Sequence, residues 1–352
     1  MSYPHPVSSI VAVIGGGAWG TALAAHSARL GHEVRLWARE ANVVQDITER
    51  RENALFLPGI PLPEMMASTD AEAVLEHAEI VLLVPPSSFL RSVVEALAPF
   101  VPATARIAVA TKGIENESLE LMLDVAAEAL GRSSRSLAVL SGPSFAREVA
   151  MGLPTDIVVA SHDDAVAASM QSVLHAPLFR TYTSRDPVGV EVGGALKNVL
   201  AVAAGACDGL GLGANARAAV VTRGLSEMAR LGVALGGDPL TFMGLSGVGD
   251  LILTATGALS RNRSLGLKVA EGVVAANWLG SQLTVAEGYS TAKAAYALAC
   301  KHGVEVPITE QVFRVLHEGR PLLDAMHLLM NRSQKSELWG FDGIARVPPR
   351  TA

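Results

Sequence analysis

The chain has 352 residues, of which 50% are hydrophobic and 18% charged, and its formal net charge is −6. A chain of this length accommodates two domains with sizeable hydrophobic cores. The acidic balance excludes the broad basic surface of a nucleic-acid-binding protein, so any positive charge for an anionic ligand must be concentrated locally.

Cysteine and histidine usage argues against a disulfide framework or a metal site. Cys207 and Cys300 lie far apart in Ala-rich helical contexts, where we expect small buried side chains in a reducing compartment. The nine histidines show no metal-ligand spacing. The N-terminus has no signal-peptide pattern, and no uninterrupted apolar run reaches membrane-spanning length. We therefore expect a cytoplasmic protein without a metal, a nucleic-acid partner or an integral membrane segment.

The first predicted elements are a strand, a glycine-rich turn and a helix. The apolar run at residues 10–14 predicts a buried parallel strand, and residues 21–30 are typical of a helix. Between them stands a G-x-G-x-x-G pattern. Gly15 permits the tight turn, Gly17 leaves room for a pyrophosphate, and Gly20 lets helix and strand pack closely. The N–H groups at the helix start favour a bound dinucleotide, although a strand–turn–helix without a ligand has the same pattern.

The second predicted strand, residues 33–38, bears on the choice of cofactor. An NAD-preferring site usually carries an acidic residue at the end of this strand, where it binds the ribose 2′-hydroxyl. This chain has Arg39 followed by Glu40. Because the planar guanidinium of Arg39 suits a 2′-phosphate, NADPH is expected as the preferred cofactor. Glu40 leaves NADH as an alternative, and a solvated charge at the strand end would also account for Arg39.

Further apolar runs, separated by helical segments, predict strands at residues 80–84, 106–110, 137–140, 156–160 and 179–182. This alternation predicts an α/β, Rossmann-like domain with a doubly wound parallel sheet. A loop rich in proline and glycine is expected at residues 53–63. Ligands of such sheets bind beyond the carboxyl ends of the strands. Lys112, Gly142 and Ser144 follow predicted strand ends and are therefore candidate site residues.

Near Asp186 the pattern changes from alternating strands and helices to Ala- and Leu-rich helices. Asp186 is a suitable helix N-cap, and Pro187 suits the first helical turn. We therefore predict a dinucleotide-binding domain at residues 1–185 and an all-helical substrate domain at residues 186–335. Residues 336–352 are expected to form a loose tail.

The helix that opens the second domain carries Lys197 in an apolar setting, one turn after Gly193 and Gly194. Glycines inside a helix cost about 1 kcal/mol each relative to alanine, so we expect them to make room for a ligand beside the ammonium. Lys197 is a candidate proton donor, provided that burial and neighbouring cations lower its pKa from about 10.4. The alternative is a lysine that only pairs with a carboxylate.

Two later clusters supply charged and polar neighbours. Asp250 stands in a glycine-rich turn, and Ser260, Arg261 and Asn262 open a predicted helix. Hydroxyl, guanidinium and amide donors at a helix start form a phosphate site. The alternatives are a turn aspartate and a capped helix with solvated arginines. Together with a dinucleotide fold, the clusters indicate hydride transfer that involves a small phosphorylated molecule.

From the glycine-rich turn to about residue 330, the chain resembles bacterial-type NAD(P)-dependent glycerol-3-phosphate dehydrogenases. The matching motifs are residues 15–24, 53–59, 111–115, 140–150, 194–205, 215–228, 244–254, 260–263 and 285–288. The resemblance implies reversible reduction of dihydroxyacetone phosphate to sn-glycerol 3-phosphate, the precursor of glycerophospholipid head groups.

The resemblance also implies a role for each matched residue. Lys197 would exchange a proton with the substrate oxygen, Lys112 would contact substrate and cofactor, and Asp250 would hold a substrate hydroxyl or orient Lys197. The substrate pocket would be completed by Gly142, Ser144, Ser260, Arg261 and Asn262, of which the last three would bind the phosphate. The cofactor would be contacted by Gly15, Gly17, Ala18, Trp19, Gly20, Arg39, Lys112, Ala146, Arg261, Val285 and Glu287. The family often has serine at the position of Ala18, so one hydroxyl contact to the pyrophosphate is lost.

Two other functions share parts of the pattern. A β-hydroxyacid or sugar-acid dehydrogenase has the same two-domain plan and a helix-borne lysine, but it needs a carboxylate pocket. A non-catalytic dinucleotide sensor has no use for a phosphate-binding arginine beside two lysines. The apolar content of the second-domain helices is compatible with a homodimer.

Overall fold

The computed structural model of the chain describes residues 8–282, 285–337 and 339–340. The strands are β1 (Ile10–Ile14), β2 (Glu33–Trp37), β3 (Met66–Ser68), β4 (Ile80–Leu83), β5 (Arg106–Val109), β6 (Leu137–Ser141), β7 (Thr155–Ala160) and β8 (Phe179–Ser184). They form one sheet in the order β3-β2-β1-β4-β5-β6-β7-β8. The accompanying helices are α1 (Ala18–Arg29), α2 (Ala41–Gln45), α3 (Ala71–Leu75), α4 (Leu90–Leu97), α5 (Met122–Leu130), α6 (Ala146–Ala150) and α7 (Asp164–Leu174).

The central strands β1 and β4 are apolar along their whole length because helices cover both faces of the sheet. In β1, Val11 and Val13 join the core on one face, whereas Ala12 and Ile14 join the core on the other. A strand covered on both sides has a continuous apolar sequence, which is the signal that predicts it. The Rossmann-like α/β architecture is thereby confirmed.

Strand β3 is absent from the predicted set. It has only three residues and lies at the edge of the sheet beside β2. Met66 is exposed, and the next two residues are half-buried. An edge strand needs no continuous apolar run, so the sequence carries little signal for it.

The sheet is mainly parallel, as predicted, and departs from parallel pairing at one pair of strands. Strand β7 runs antiparallel to β6, with Leu140 opposite Val159. The connecting helix α6 has five residues, about 8 Å at 1.5 Å per residue. This helix covers only about half the length of a strand of about 17 Å, and the connection from Ser141 to Thr155 contains no other helix. The chain therefore reverses direction, and β8 then pairs parallel with β7.

The second half of the described chain is helical. The carboxylate of Asp186 accepts a hydrogen bond from Gly189 N at 2.8 Å, so the predicted N-cap is confirmed. The helices are α8 (Pro187–Gly209), α9 (Gly213–Ala234), α10 (Asp250–Thr256), α11 (Arg261–Ala270), α12 (Ala275–Gly280), α13 (Glu287–Lys301), α14 (Pro307–His317) and α15 (Leu322–Met330). Among the described residues no strand follows Ser184, and the helical character predicted for this part is confirmed.

Helix α8 is the centre of the helical half and packs against α9, α10, α11 and α13. At its crossing with α11 the two backbones touch. A Cβ on Gly205 would lie 2.0 Å from Arg263 O, and a Cβ on Gly266 would lie 2.0 Å from Val202 O. Any larger residue at either glycine would push the two helices apart.

By length and composition, α8 is the one described helix that could cross a membrane. However, 94% of its apolar window is buried inside the protein. The helix also carries Glu191, Lys197 and Asp208, which interrupt its apolar sequence. Its apolar surface is accounted for by packing in the helical core.

The residues at the start of the predicted tail contact α9. The Trp339 ring lies 5.0 Å from the Arg230 guanidinium and 3.2 Å from the Lys335 ammonium, measured to its centroid. Glu337 accepts hydrogen bonds from Arg223. Residue 338 and residues 341–352 of the predicted tail lie outside the described residues.

Both cysteines are free thiols, and one of the two is placed differently from the prediction. Cys207 is buried, as predicted, whereas Cys300 is exposed. The buried positions near the end of α13 are residues 294, 295, 298 and 299. Cys300 falls beside this buried face rather than on it, which an Ala-rich sequence does not reveal.

We expect Glu227 to make stability depend on pH. Its buried carboxylate accepts hydrogen bonds from Ile308 N at 2.7 Å and Thr309 N at 3.1 Å, at the start of α14. Burial raises the pKa of Glu227 from 4.5 to about 7. Between these two values the folded chain binds more protons than the unfolded chain, so this carboxyl lowers the free energy of unfolding as the pH rises.

The measurement is the Tm of the wild type and of Glu227→Gln, which does not titrate, at about pH 5 and about pH 8. From pH 5 to pH 8, the free energy of unfolding of the wild type, obtained from the thermal unfolding curves, should fall relative to that of the variant. The expected change is on the order of 1–3 kcal/mol. Parallel pH profiles of the two proteins would contradict this assignment.

Candidate active site

The glycine-rich turn after β1 is packed tightly on one side and open on the other. Gly15 has a φ of +125°, and a Cβ there would lie 2.9 Å from the Val84 carbonyl. A Cβ on Gly20 would lie 1.9 Å from Gly15 O. The predicted roles of these two glycines in the tight turn and the close packing are therefore confirmed. A Cβ on Gly17 would meet nothing within 4 Å, so this position faces open space.

Helix α1 begins at Ala18, directly at this opening, with Gly17 as its N-cap and no side chain capping its N–H groups. The next residue, Trp19, is half-buried and packs against the hydrophobic core that contains Val11 and Val13. Its indole Nε1 is buried and has no hydrogen-bond partner in the described part of the chain. The helix start thus offers backbone donors and one indole donor without a protein acceptor.

Arg39 follows the carboxyl end of β2. Because β2 pairs parallel with β1, this end lies at the same edge of the sheet as the glycine-rich turn. Its side chain is 75% exposed and pairs with the adjacent Glu40 at 3.1 Å. An exposed pair of this kind is worth little energy. The guanidinium is therefore held only loosely and is accessible to an anion.

The centre of the candidate site is a buried carboxylate between two lysines. Asp250, the first residue of α10, is 0% exposed. Its Oδ2 accepts a hydrogen bond from Lys112 Nζ at 2.8 Å, and its Oδ1 accepts one from Lys197 Nζ. The sequence singles out all three residues, and the structure brings them together.

This arrangement shifts the pKa of Lys197 towards neutrality. Burial, together with the charge of Lys112, lowers this pKa from 10.5 to about 7, against the opposite effect of Asp250. For Asp250, burial acts to raise the pKa, but the two ammonium groups outweigh burial and hold it below its usual value. The aspartate stays ionised while Lys197 can exchange a proton near neutral pH.

Gly193 and Gly194 do not make room for a ligand, and this expectation is wrong. A Cβ on Gly193 would lie 2.4 Å from Ser246 O, and one on Gly194 would lie 2.8 Å from Ser141 Oγ. The space is filled by the backbone before α10 and by side chains from β6 and Lys112. The glycines let α8 approach these elements closely enough for Lys197 to reach Asp250.

Gly142 and Ser144 stand beside Lys112, as expected for a site at the strand ends. The Gly142 carbonyl accepts hydrogen bonds from Lys112 Nζ at 3.0 Å and from Ser144 Oγ at 2.9 Å. Gly142 has a φ of +139°, which strongly disfavours residues with a Cβ. This turn therefore fixes the direction of the lysine ammonium.

Arg261, at the start of α11, has no hydrogen-bond or ion-pair partner among the described residues. Its side chain is exposed, yet protein surrounds it closely enough that desolvation lowers its pKa, whereas the charge of Glu287 raises it. Ser260 caps α11 by accepting a hydrogen bond from Arg263 N at 3.2 Å. An accessible guanidinium at a helix start favours an anion.

Asn262 is more constrained than the sequence suggests. Its Nδ2 donates to Asn198 Oδ1 at 2.8 Å, and its Oδ1 accepts a hydrogen bond from Gly288 N at 2.9 Å. The amide therefore ties α8, α11 and α13 together. It retains one N–H that these contacts do not use.

Glu287, the first residue of α13, joins the two halves of the protein. Its carboxylate accepts hydrogen bonds from Ser87 N at 3.1 Å and from Ser87 Oγ. Burial raises its pKa, against the effect of Ser87 and of the nearby Arg261.

Two other predicted cofactor contacts lie in different surroundings. Val285, two residues before Glu287, is exposed. Ala146 begins α6, which packs against α1.

Two further polar residues near the lysines are not among the candidates that the sequence indicates. Thr254 Oγ1 lies 3.1 Å from Lys197 Nζ and donates to Asp250 O at 2.7 Å. Asn198 follows Lys197 and is buried against Asn262. Thr254 is four residues after Asp250 on one helix, so the i, i+4 spacing was available as a signal.

The site thus combines a lysine with a pKa near neutrality, a second lysine, and an arginine without a protein partner. Such a set of groups donates a proton and binds an anion. In the described residues no group of three or more His, Cys, Asp or Glu side chains is placed to hold a metal ion.

Comparisons with known proteins agree along nearly the whole chain. Two family descriptions match: "NAD-dependent glycerol-3-phosphate dehydrogenase N-terminus" at residues 10–167 and the corresponding C-terminus at residues 186–327. A Geobacter sulfurreducens protein named glycerol-3-phosphate dehydrogenase NAD(P)+ is 50% identical over 335 residues, covering 95% of this chain and 100% of its own. A Myxococcus xanthus protein of the same name is 48% identical and covers 93% of this chain and 98% of its own.

The fold has a close counterpart among solved structures. The crystal structure of glycerol-3-phosphate dehydrogenase from Coxiella burnetii matches with a TM-score of 0.88 and 42% identity. The match covers 93% of this chain and 100% of the other. The chain therefore belongs to the NAD-dependent glycerol-3-phosphate dehydrogenase family.

Proposed function

We propose that the chain catalyses the reversible reduction of dihydroxyacetone phosphate to sn-glycerol 3-phosphate with a reduced nicotinamide dinucleotide. The observation that carries this proposal is the buried Asp250 with Lys112 and Lys197 on its two oxygens. An arginine without a described partner stands at the start of α11, in electrostatic contact with Glu287. A proton donor and a phosphate-binding cation are the groups that the reaction requires. The product would supply glycerophospholipid synthesis.

The glycine-rich turn fits a dinucleotide. Gly17 faces open space, the first N–H groups of α1 have no side-chain cap, and the Trp19 indole N–H is buried without a partner. The proposed contacts are made by Gly15, Gly17, Ala18, Trp19, Gly20, Arg39, Lys112, Ala146, Arg261, Val285 and Glu287. When bound, the reduced nicotinamide supplies the hydride that the central carbonyl carbon of the substrate accepts.

Lys197 gives its proton to the carbonyl oxygen as this oxygen becomes an alkoxide. Its pKa of about 7 suits this transfer, because proton transfer is most effective when the pKa lies near the working pH. The Lys112 ammonium opposes the developing negative charge. Asp250 keeps both ammonium groups in place and, by favouring the charged form of Lys197, helps it to recover a proton.

The substrate phosphate binds at the start of α11. Arg261 supplies the guanidinium, and the Ser260 hydroxyl is free to donate because its cap to Arg263 uses only the oxygen as acceptor. Asn262 contributes its remaining amide hydrogen. Gly142 and Ser144 line the pocket beside Lys112.

NADPH is the proposed preferred cofactor, with NADH as a second substrate. Support comes from Arg39, which is exposed and follows the end of β2, the strand end from which such folds contact the adenine ribose. Glu40 is its only described ionic partner and leaves NADH binding open. The names of the relatives, which carry NAD(P)+, agree with use of both nucleotides.

We also propose that the enzyme works in the cytoplasm and pairs as a homodimer through its helical half. Two free thiols support a reducing compartment. Large apolar side chains exposed on the helical half support self-association; they include Leu240, Met243, Val274 and Met330.

Replacing Lys197 tests the reaction. In an assay of dihydroxyacetone phosphate that follows the absorbance of NADPH, the wild type should consume NADPH and Lys197→Ala should lose about 10²–10⁴-fold in kcat, because the proton donor is gone. NADPH binding should be retained. Lys301→Ala, which removes an exposed lysine from the end of α13, is the matched control. A Lys197→Ala enzyme within tenfold of the wild type would remove Lys197 from this role.

Replacing Arg261 tests the phosphate site. Arg261→Ala should raise the KM for dihydroxyacetone phosphate by about tenfold or more, because a charge-assisted contact with the phosphate is lost. Lys268→Ala on the same helix removes the same charge from an exposed position and should leave this KM within about twofold of the wild type. Equal KM values for all three proteins would place the phosphate elsewhere.

Replacing Arg39 tests the cofactor preference. Arg39→Ala should raise the KM for NADPH several-fold and leave the KM for NADH nearly unchanged, because only NADPH carries the 2′-phosphate. Arg50→Ala, an equally exposed arginine paired with Asp46, serves as the control. An unchanged KM for NADPH in the Arg39 variant would rule out the contact.

A further inference from the structure

A buried side chain that has no part in the proposed reaction is hydrogen-bonded to the glycine-rich turn. Asn53, in the loop between α2 and β3, is 0% exposed. Its Nδ2 donates hydrogen bonds to Gly16 O and to Thr21 Oγ1, each at 2.8 Å. Its Oδ1 accepts a hydrogen bond from Phe56 N at 3.0 Å. Both N–H bonds and the oxygen of this amide are therefore engaged.

The contact with Gly16 fixes the direction of the N–H that follows it. A trans peptide is planar, so the C=O of Gly16 and the N–H of Gly17 point in opposite directions. Asn53 Nδ2 and Thr21 Oγ1 both hold Gly16 O on the protein side. The Gly17 N–H must then point away from the protein.

The two sides of this peptide differ in the space around them. A Cβ on Gly16 would lie 2.4 Å from Ala38 Cβ, whereas a Cβ on Gly17 would meet nothing within 4 Å. The N–H of Gly17 therefore stands at the open side of the turn, where the pyrophosphate is proposed to lie.

The loop around Asn53 is itself anchored at several points. Leu57 N donates to Asn53 O at 2.8 Å, and the Leu57 side chain is buried. Gly59 N donates to Glu52 Oε1 at 2.7 Å. Arg147 Nη1, on α6, donates to Pro58 O at 2.9 Å. The amide of Asn53 is thus presented by a loop with little freedom to move.

We propose that Asn53 is a positioning residue for the dinucleotide: it orients the peptide between Gly16 and Gly17 so that the Gly17 N–H donates to the pyrophosphate. The inference rests on the proposed function of the turn. Asn53 does not touch the ligand. Because NADPH and NADH share the pyrophosphate, Asn53 supports both equally, in contrast to Arg39, which acts on the 2′-phosphate.

The test is a fluorescence titration of folded protein with NADPH and with NADH. In Asn53→Ala the Gly16 carbonyl loses its amide donor, and the Kd for both nucleotides should rise by the same factor, roughly 10- to 100-fold. The ratio of the two Kd values should stay at the wild-type value. The KM for dihydroxyacetone phosphate at saturating NADPH should stay within about twofold.

Two further variants keep the test decisive. Asn53→Ser is too short to reach Gly16 O, but its hydroxyl can still accept the Phe56 N–H and so preserve the loop; it should show the same loss of affinity if Asn53→Ala does not fold. Asn42→Ala removes an exposed asparagine from α2 and should bind both nucleotides as the wild type does.

The outcomes separate this inference from the function on which it rests. Folded Asn53 variants with a lower Tm but wild-type Kd values would overturn it, because Asn53 would then be only structural. A loss confined to one nucleotide would also overturn it. If the wild type bound neither nucleotide, the proposed function of the turn would fail as well.

Discussion

The structure depends on a single buried carboxylate that two ammonium groups share. An isolated carboxylate at the position of Asp250 would be destabilising, and removal of one partner from a buried ion pair costs roughly 3–5 kcal/mol. Lys112 comes from the loop after β5, and Lys197 comes from the middle of α8. The sheet and the central helix must therefore meet at α10 for the charges to be compensated. The same triad that stabilises this junction leaves one excess positive charge in the interior when both lysines are protonated, and in the proposed mechanism this charge acts on the substrate oxygen.

A second contact closes the junction from the other side. Ser87, in the loop after β4, donates two hydrogen bonds to Glu287 at the start of α13. Gly113 packs between them: a Cβ there would lie 2.5 Å from Ser87 Cβ and 3.6 Å from Glu287 Oε2. Two polar contacts, at Asp250 and at Glu287, therefore join the sheet to the helical half. In the proposed function, the groups that bind the ligands are also the groups that hold the two halves together.

Local features of the fold could be predicted from the sequence. The glycine-rich turn, the apolar strands and the Asp186 cap depend on neighbours within a few residues, and the structure confirms them. Features that depend on distant partners could not. The reversal at β7 follows from how much chain α6 can span, and the role of Gly193 and Gly194 follows from which backbone lies opposite. The sequence places Lys112, Lys197 and Asp250 in separate motifs, and the resemblance gives contact of Asp250 with Lys197 as one of two roles. Only the structure shows that the same carboxylate also holds Lys112. The family match, in turn, removes support from the β-hydroxyacid dehydrogenase alternative.

The glycine crossing of α8 and α11 has a consequence for substrate choice. At Gly205 and Gly266 the backbones of the two helices are in direct contact. Repacking of side chains therefore cannot change the distance between the helices. Lys197 projects from one helix and Arg261 from the start of the other. In the proposed mechanism, the crossing therefore sets the distance between the groups that contact the reacting oxygen and the phosphate. In the proposed reaction, an ester one carbon longer would reach the guanidinium only with its carbonyl out of line with the ammonium.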